Sequence, residues 1–248
     1  MSQRRGLPWV LLAAAALCAL FLAMGTWQVQ RLFWKKDLIA RVQQRVQAPP
    51  TAAPSPGDWP RITAAPQDFE YRRLQLQGVF RHDDETLVQA ATTLGAGFWV
   101  LTPLVQADGT TVFVNRGFVP PAQRDPARRG AAAPVGPVTV VGLLRLTEPR
   151  GGFLRDNDPA ANRWHSRDVA AIAQARGLPP ERVAPYFVDA VAPATGAVAG
   201  QWPVPGLTVV HFTDNHLVYA LTWYALALMV AAGGFFVLRQ ARRSDSTP

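Results

Sequence analysis

The sequence predicts a membrane protein of the α+β class. Two transmembrane helices flank a mainly antiparallel β domain that carries one short helix and lies outside the cytoplasm. Three observations predict it. Residues 6–30, GLPWVLLAAAALCALFLAMGTWQVQ, and residues 217–238 hold no charged side chain, and each run is long enough to cross a bilayer as a helix. Between them, apolar and polar residues alternate in short runs broken by turn signals. Arg4, Arg5, Arg239, Arg242 and Arg243 sit at the outer ends of the two spans, a bias that places both termini in the cytoplasm.

Residues 1–6 form the first cytoplasmic tail and 7–30 the first span. A cleaved signal peptide is the rival reading. The apolar run is too long for a signal core, no small-x-small site follows before Gly25, and Leu17 occupies the position where a lipoprotein box at Cys18 needs a small residue. Leu32, Lys35 (by its stem), Leu38, Ile39, Val42 and Val46 recur at spacings of three and four, so the helix is expected to continue to about Gln47. Trp27, Arg31 and Trp34 share one face of that extension. They read either as an interfacial anchor with Arg31 on lipid phosphate, or as a cationic site for an anionic ligand group. Arg31, Lys35, Lys36, Arg41 and Arg45 balance the basic tails in number. However, Lys and Arg are absent between Arg182 and Arg239, and long loops translocate largely regardless of charge.

Residues 48–66, rich in Pro and Ala, are expected as a semi-extended linker, and residues 67–210 as the β-rich domain. Leu74, Leu76 and Phe80 alternate with polar residues, His82-Asp83-Asp84 reads as a turn, and Thr86–Gln89 begins the return strand. Asp108-Gly109 between Phe98–Gln106 and Thr110–Asn115 is a hairpin signal. Val138–Leu146 and Tyr186–Val191 are further strands. Ser166-Arg167-Asp168 caps a helix over Val169–Arg176 that stops at Gly177. Asn115-Arg116-Gly117 reads as a turn with Gly117 at positive φ. The second span covers 215–238, started by Thr213-Asp214-Asn215, and 239–248 form the last tail.

The chemistry the composition excludes is broad. Half of the formal charge of +8 lies in the short tails, and the rest is diffuse and lacks a basic-aromatic motif, so nucleic acid is not a partner. Cys18 is the only cysteine, which removes intrachain disulfides, CxxC redox pairs and cysteine-cluster metal sites. Asp156, Asp158, His165 and Asp168 are dense enough for a divalent ion, but the glycine and distal glutamate of a calcium loop are missing and the same residues serve turns. No nucleophile elbow, phosphate-binding glycine loop or dinucleotide fingerprint occurs, so an enzyme is not expected.

The second span offers one sharper feature. His216, Tyr219 or Ala220, Trp223, Ala227, Val230 and Gly234 fall on one helical face, so an imidazole and large aromatics stand above small residues. This arrangement suits a ligand above a flat slot. Equally, Tyr, Trp and His at a span's edge are common among headgroups.

Five separated stretches, in order, carry a resemblance. GTWQVQRLFWKKDLI, FEYRRLQLQGVF, GFWVLTPLV with VFVNRGFVP, LTEPRGGFLRDNDPAANRWHSRD and NHLVYALTWYALA resemble the Surfeit-locus family of cytochrome c oxidase assembly factors, from Gly25 to about Ala227. The N-terminus starts almost at the span, without an Arg/Ser-rich transit stretch. The resemblance is therefore to a bacterial member, in the inner (plasma) membrane, multi-pass, with its main domain periplasmic. It implies assistance to haem a delivery or insertion into the catalytic subunit. Asn215-His216-Leu217 matches the family's second-span motif and implies His216 as a ligand of haem iron, with His211 and Met24 as weaker candidates. Arg31 or Lys35 would then meet the propionates, and Trp223 and Tyr219, or Trp27, the porphyrin face. The implied partners are cytochrome c oxidase subunit I, haem a synthase and membrane lipid, with self-association left open. The alternative is a cofactor-free scaffold that holds subunit I during assembly.

Overall fold

The computed structural model describes residues 7–130, 132–152, 155–192, 200–207 and 215–244. The chain divides into two units, Met1–Arg41 with His211–Pro248, and Val42–Val210.

The first unit contains two long helices, α1 (Leu7–Gln47, whose last residues belong to the second unit) and α4 (His216–Ser244). Contacts pair Gln28 with His216, Phe21 with Trp223 and Cys18 with Ala227, so the helices run antiparallel. Leu7 and the basic end of α4 consequently share one end of the pair. Residues at spacings of three and four on α1 line the seam: Cys18, Phe21, Gly25 and Gln28 meet Ala227, Trp223, Tyr224 and His216 of α4. Apolar side chains such as Trp9, Leu12, Leu221, Leu228, Phe235 and Phe236 point outward and stay exposed. In the most apolar window of α1 0% of residues are buried, and in that of α4 6%. A core helix of a soluble domain would be covered; these two have the length and composition to cross a membrane.

The second unit is a small β-barrel. Within it run β1 (Thr51–Ala52), α2 (Trp59–Ala64), β2 (Arg73–Phe80), β3 (Thr86–Thr92), β4 (Gly95–Val105), β5 (Thr111–Val119), β6 (Pro137–Leu146), β7 (Gly151–Gly152), β8 (Arg155–Asp156), α3 (Val169–Ala175) and β9 (Val183–Ala190). The main sheet has the order β1-β2-β6-β9-β5-β4-β3, and Val79 and Phe80 of β2 also pair with Val105 and Leu104 of β4. This extra pairing closes β2, β6, β9, β5 and β4 into a ring. All pairings in the ring are antiparallel except β5 with β9.

Strand alternation sorts two apolar sets. Leu74, Leu76, Leu104, Val112, Val114, Leu144, Tyr186 and Val188 fill the interior, with Ile62 of α2 and Phe69 added to the cluster. Leu101, Phe113, Val183 and Phe187 face outward and are covered by Val169, Ile172 and Ala173 of α3 and by Trp164. β5 and β9 are therefore buried on both faces.

Two expectations change. Residues 48–66 are more than a semi-extended linker. Thr51 and Ala52 pair in parallel with Leu74 and Gln75, and α2 buries Ile62 to 1% exposure. A proline-rich segment joins a sheet edge where it needs only two ladder residues, and Pro60 stands at the start of α2, where its missing N–H is tolerated. Asn115-Arg116-Gly117 is not a turn but lies inside β5, beside a register shift between Trp99 and Leu101 of β4. Gly117 does take a positive φ, 131°. The Asp108-Gly109 hairpin forms as expected: Gly109 has φ 79° and Asp108 Oδ1 accepts from Thr110 N at 2.9 Å.

Candidate functional site

The residue that concentrates the chemistry of the helix pair is His216, at the first turn of α4. Thr213 and Asp214, expected to start the helix, lie outside the described residues, as does the second ligand candidate, His211. The His216 side chain is half-buried, and its Nδ1 lies 2.7 Å from Oε1 of Gln28, a residue 9% exposed on α1. An amide oxygen only accepts, so Nδ1 carries the proton in this hydrogen bond and the ring's lone pair falls on Nε2.

The surrounding seam is small and apolar. Ala220 and Ala227 are 2% and 3% exposed, one and three turns along α4 from His216. Trp223 stacks on Phe21, with ring centroids 5.6 Å apart and planes at 30°. Tyr224 lies over Gly25, where an added Cβ would come 2.7 Å from the ring, and its hydroxyl is 3.2 Å from Thr26 Oγ1. Met24 is half-buried on α1.

The other residues singled out from the sequence are placed differently. Trp27 is 53% and Tyr219 55% exposed, so both present ring faces away from the seam. Arg31 is exposed, with its guanidinium carbon 4.1 Å from the centroid of the Trp34 ring. Since Arg31 follows Gln28 by one turn, its charge enters the helix surface next to the Gln28–His216 bond. Of the five residues singled out, His216 and Trp223 lie on the seam, and Trp27, Arg31 and Tyr219 on outward surfaces.

The SURF1 family profile matches residues 15–228, most of the chain, including the whole Cys18–Ala227 seam. The chain belongs to the SURF1 family. Surfeit locus protein 1 of Homo sapiens is 36% identical over 238 residues, covering 89% of this chain and 74% of that protein. The Mus musculus protein of the same name is 36% identical over 236 residues, covering 89% of this chain and 72% of that one. A SURF1-like protein of Monosiga brevicollis is 34% identical over 248 residues, with coverage of 95% and 88%.

In this SURF1-family chain the stretch RDNDPAANRWHSRD serves its own backbone. Asp158 accepts from Arg163 at 2.6 Å and from Ala161 N at 3.0 Å, and Asp168 caps α3 by accepting from Ala171 N at 3.1 Å. Asn157 accepts from His165 N at 2.8 Å, and Ser166 Oγ donates to Glu148 O at 2.7 Å. Among the described residues, no three His, Cys, Asp or Glu side chains converge as a metal site.

Sequence reasoning missed two sets of polar residues. Gln28 is the first; its signal was an amide within an otherwise apolar run. The second is an ionic cluster on the outer face of the barrel. Asp189, 2% exposed, accepts from Asn115 at 2.8 Å, Arg167 at 3.3 Å and Arg145 at 3.4 Å, while Arg167 also grips Glu148. Arg145, Arg167 and Asp189 line a cavity of about 280 Å³ beside Trp99. This cluster ties β5, β6 and β9 to the Glu148–Ser166 loops. The charges are mutually paired, which is what burial requires of them.

Proposed function

We propose that this chain is a membrane-anchored, non-catalytic assembly factor for cytochrome c oxidase that holds haem a at His216 on its way to the catalytic subunit. Membership of the SURF1 family supports the assembly role. One observation carries the haem reading: the imidazole of His216 sits at the helix seam with Nδ1 hydrogen-bonded to Gln28 at 2.7 Å, instead of standing free at the exposed edge of α4.

The donor set fits the group. A neutral imidazole whose lone pair falls on Nε2 is a normal axial haem ligand, and the apolar surface of the two helices favours a porphyrin over water. Haem a, when bound, supplies the iron that this imidazole ligates. Arg31 brings a guanidinium one turn from Gln28, suited to a propionate. The exposed rings of Trp27 and Tyr219 offer faces for a macrocycle, and Trp223, held by Phe21, supports the seam behind His216.

In this reading the chain lies in a bacterial inner membrane, with lipid against the outward apolar faces of α1 and α4 and the β-barrel on the periplasmic side. Cytochrome c oxidase subunit I is the receiving partner, and haem a synthase the donor. The test is an absorbance spectrum of the detergent-solubilised full chain coexpressed with haem a synthesis enzymes. A Soret band of haem a that His216→Ala weakens at least tenfold supports the reading. Unchanged haem content in that variant removes His216 as ligand. Haem-free protein that still crosslinks to subunit I leaves the scaffold role alone.

A further inference from the structure

We infer that Gln28 is the positioning residue for His216, setting which imidazole nitrogen is offered and how strong a ligand it is; this rests on the proposed haem ligation by His216. The argument begins with placement. Gln28 lies within the uncharged run of α1 and is 9% exposed, so its amide has lost most of its contact with solvent. A buried amide in an apolar helix weakens the structure unless its polar atoms find partners. Gln28 Oε1 finds one in Nδ1 of His216, 2.7 Å away on the facing helix and 188 residues distant in sequence.

That bond fixes two properties of the imidazole. With Nδ1 committed as donor, the ring has one tautomer and Nε2 holds the lone pair. Donation of the Nδ1 proton to a carbonyl oxygen also moves electron density into the ring and makes Nε2 more basic, the usual role of an outer partner of a metal-ligating histidine. Ala220 and Phe21-stacked Trp223 follow His216 on the same face of α4, and across the seam Gln28 is a polar partner of its ring. A neutral amide acceptor gives a moderate ligand; a carboxylate at the same place would push the ring towards imidazolate character.

The experiment titrates haem a into the purified full chain in detergent micelles and follows the Soret band and the reduction midpoint. Four proteins are compared: the parent, Gln28→Leu, Gln28→Glu and His216→Ala. Gln28→Leu keeps nearly the same volume and removes the acceptor, so affinity falls about 10–100-fold and the midpoint rises. Gln28→Glu keeps binding, and its midpoint falls below that of the parent. A residue that only braced the helix pair would shift thermal stability in both variants without moving the midpoint in opposite directions. Parent-like affinity and midpoint in Gln28→Leu, with haem a lost in His216→Ala, overturn the role of Gln28 while leaving the ligand in place. Haem a retained in His216→Ala overturns the ligand reading, and this inference with it.

Discussion

Glu85 and Arg129 form a two-pronged ion pair at the barrel's edge: Nη1 donates to Oε2 at 2.8 Å and Nη2 to Oε1 at 2.6 Å. The Arg129 side chain is 4% and that of Glu85 11% exposed, and Arg129 also donates to the carbonyls of Gln123 and Arg124 at 3.1 and 3.0 Å. One guanidinium thereby ties the start of β3 to the loop after β5. Removing one partner leaves a buried charge without its counterion, so Glu85→Ala is expected to cost about 3–5 kcal/mol. The double variant Glu85→Leu with Arg129→Met should recover part of that loss, because this pair leaves together while Arg116, whose Nη1 lies 3.6 Å from Glu85 Oε2, still loses a counterion. Thermal unfolding of the full chain in detergent, followed by near-ultraviolet circular dichroism, measures both; a double variant no more stable than Glu85→Ala alone contradicts the account.

Glu148 makes acid stability predictable. Burial pushes its carboxyl up, but hydrogen bonds from Arg167 Nε and backbone N, both 3.1 Å, and the Arg167 charge outweigh this and hold it below its ordinary 4.5. A carboxyl depressed in the fold adds stability above its unfolded value and loses it as pH falls through its folded value. Glu148→Gln should therefore unfold at a lower temperature than the parent near neutral pH. The difference should begin to close as pH drops below 4.5 and vanish once the parent's carboxyl is protonated. A gap that stays constant across that range argues against the linkage.

How much of this was legible in the sequence depends on the distance over which each feature is decided. The face of α4 that carries His216, Ala220, Trp223 and Ala227 follows from spacing alone, since 3.6 residues per turn is a local rule. The hairpin at Asp108-Gly109 and the cap at Asp168 are likewise settled within a few residues. Gln28 was not legible as the partner of His216, because 188 residues separate them and nothing in either neighbourhood names the other. The same holds for Asp189, whose partners Asn115, Arg145 and Arg167 converge only when the barrel closes. The Pro/Ala-rich segment misled because its composition describes most of its length but not Ile62, the buried residue that docks it with Ala53 and Trp59 packed beside it.

Tyr186 offers a route to a more stable barrel. It is 0% exposed inside the ring, and its hydroxyl has no hydrogen-bond partner among the described residues. Burial also pushes its pKa well above the ordinary value of 10.0, so the hydroxyl stays protonated and its donor is unmatched. An unsatisfied buried polar atom costs about 1–3 kcal/mol, so Tyr186→Phe, which keeps the ring, should raise stability by about 1 kcal/mol or more. Thermal midpoints of the two proteins decide it, and a lower midpoint for Tyr186→Phe rejects the argument.

Gly117 is the position where the barrel tolerates least. It lies in β5 at φ 131°, and an added Cβ would stand 2.2 Å from the Val204 carbonyl oxygen. The close approach has a cause: Phe118 N donates to Val204 O and Val204 N to Phe118 O, both at 2.9 Å, so the segment around Val204 is bonded directly against this bend. Asn115 fixes the bend from the other side. Its Oδ1 accepts from Gly117 N at 3.1 Å while its Nδ2 donates to Asp189 at 2.8 Å, so one amide joins the strand's irregularity to the buried ionic cluster. Gly117→Ala meets two penalties at once, a left-handed backbone that a side chain disfavours and a clash with backbone that has no flexible end to move aside. The expected cost is about 3 kcal/mol or more, with both Phe118–Val204 hydrogen bonds released. Hydrogen exchange reads this directly: the Phe118 and Val204 amides, protected in the parent, should exchange faster by about two orders of magnitude in the variant, a factor that 2.7 kcal/mol of local opening would produce. Retained protection at both amides would mean that the close approach at Gly117 does not constrain the strand.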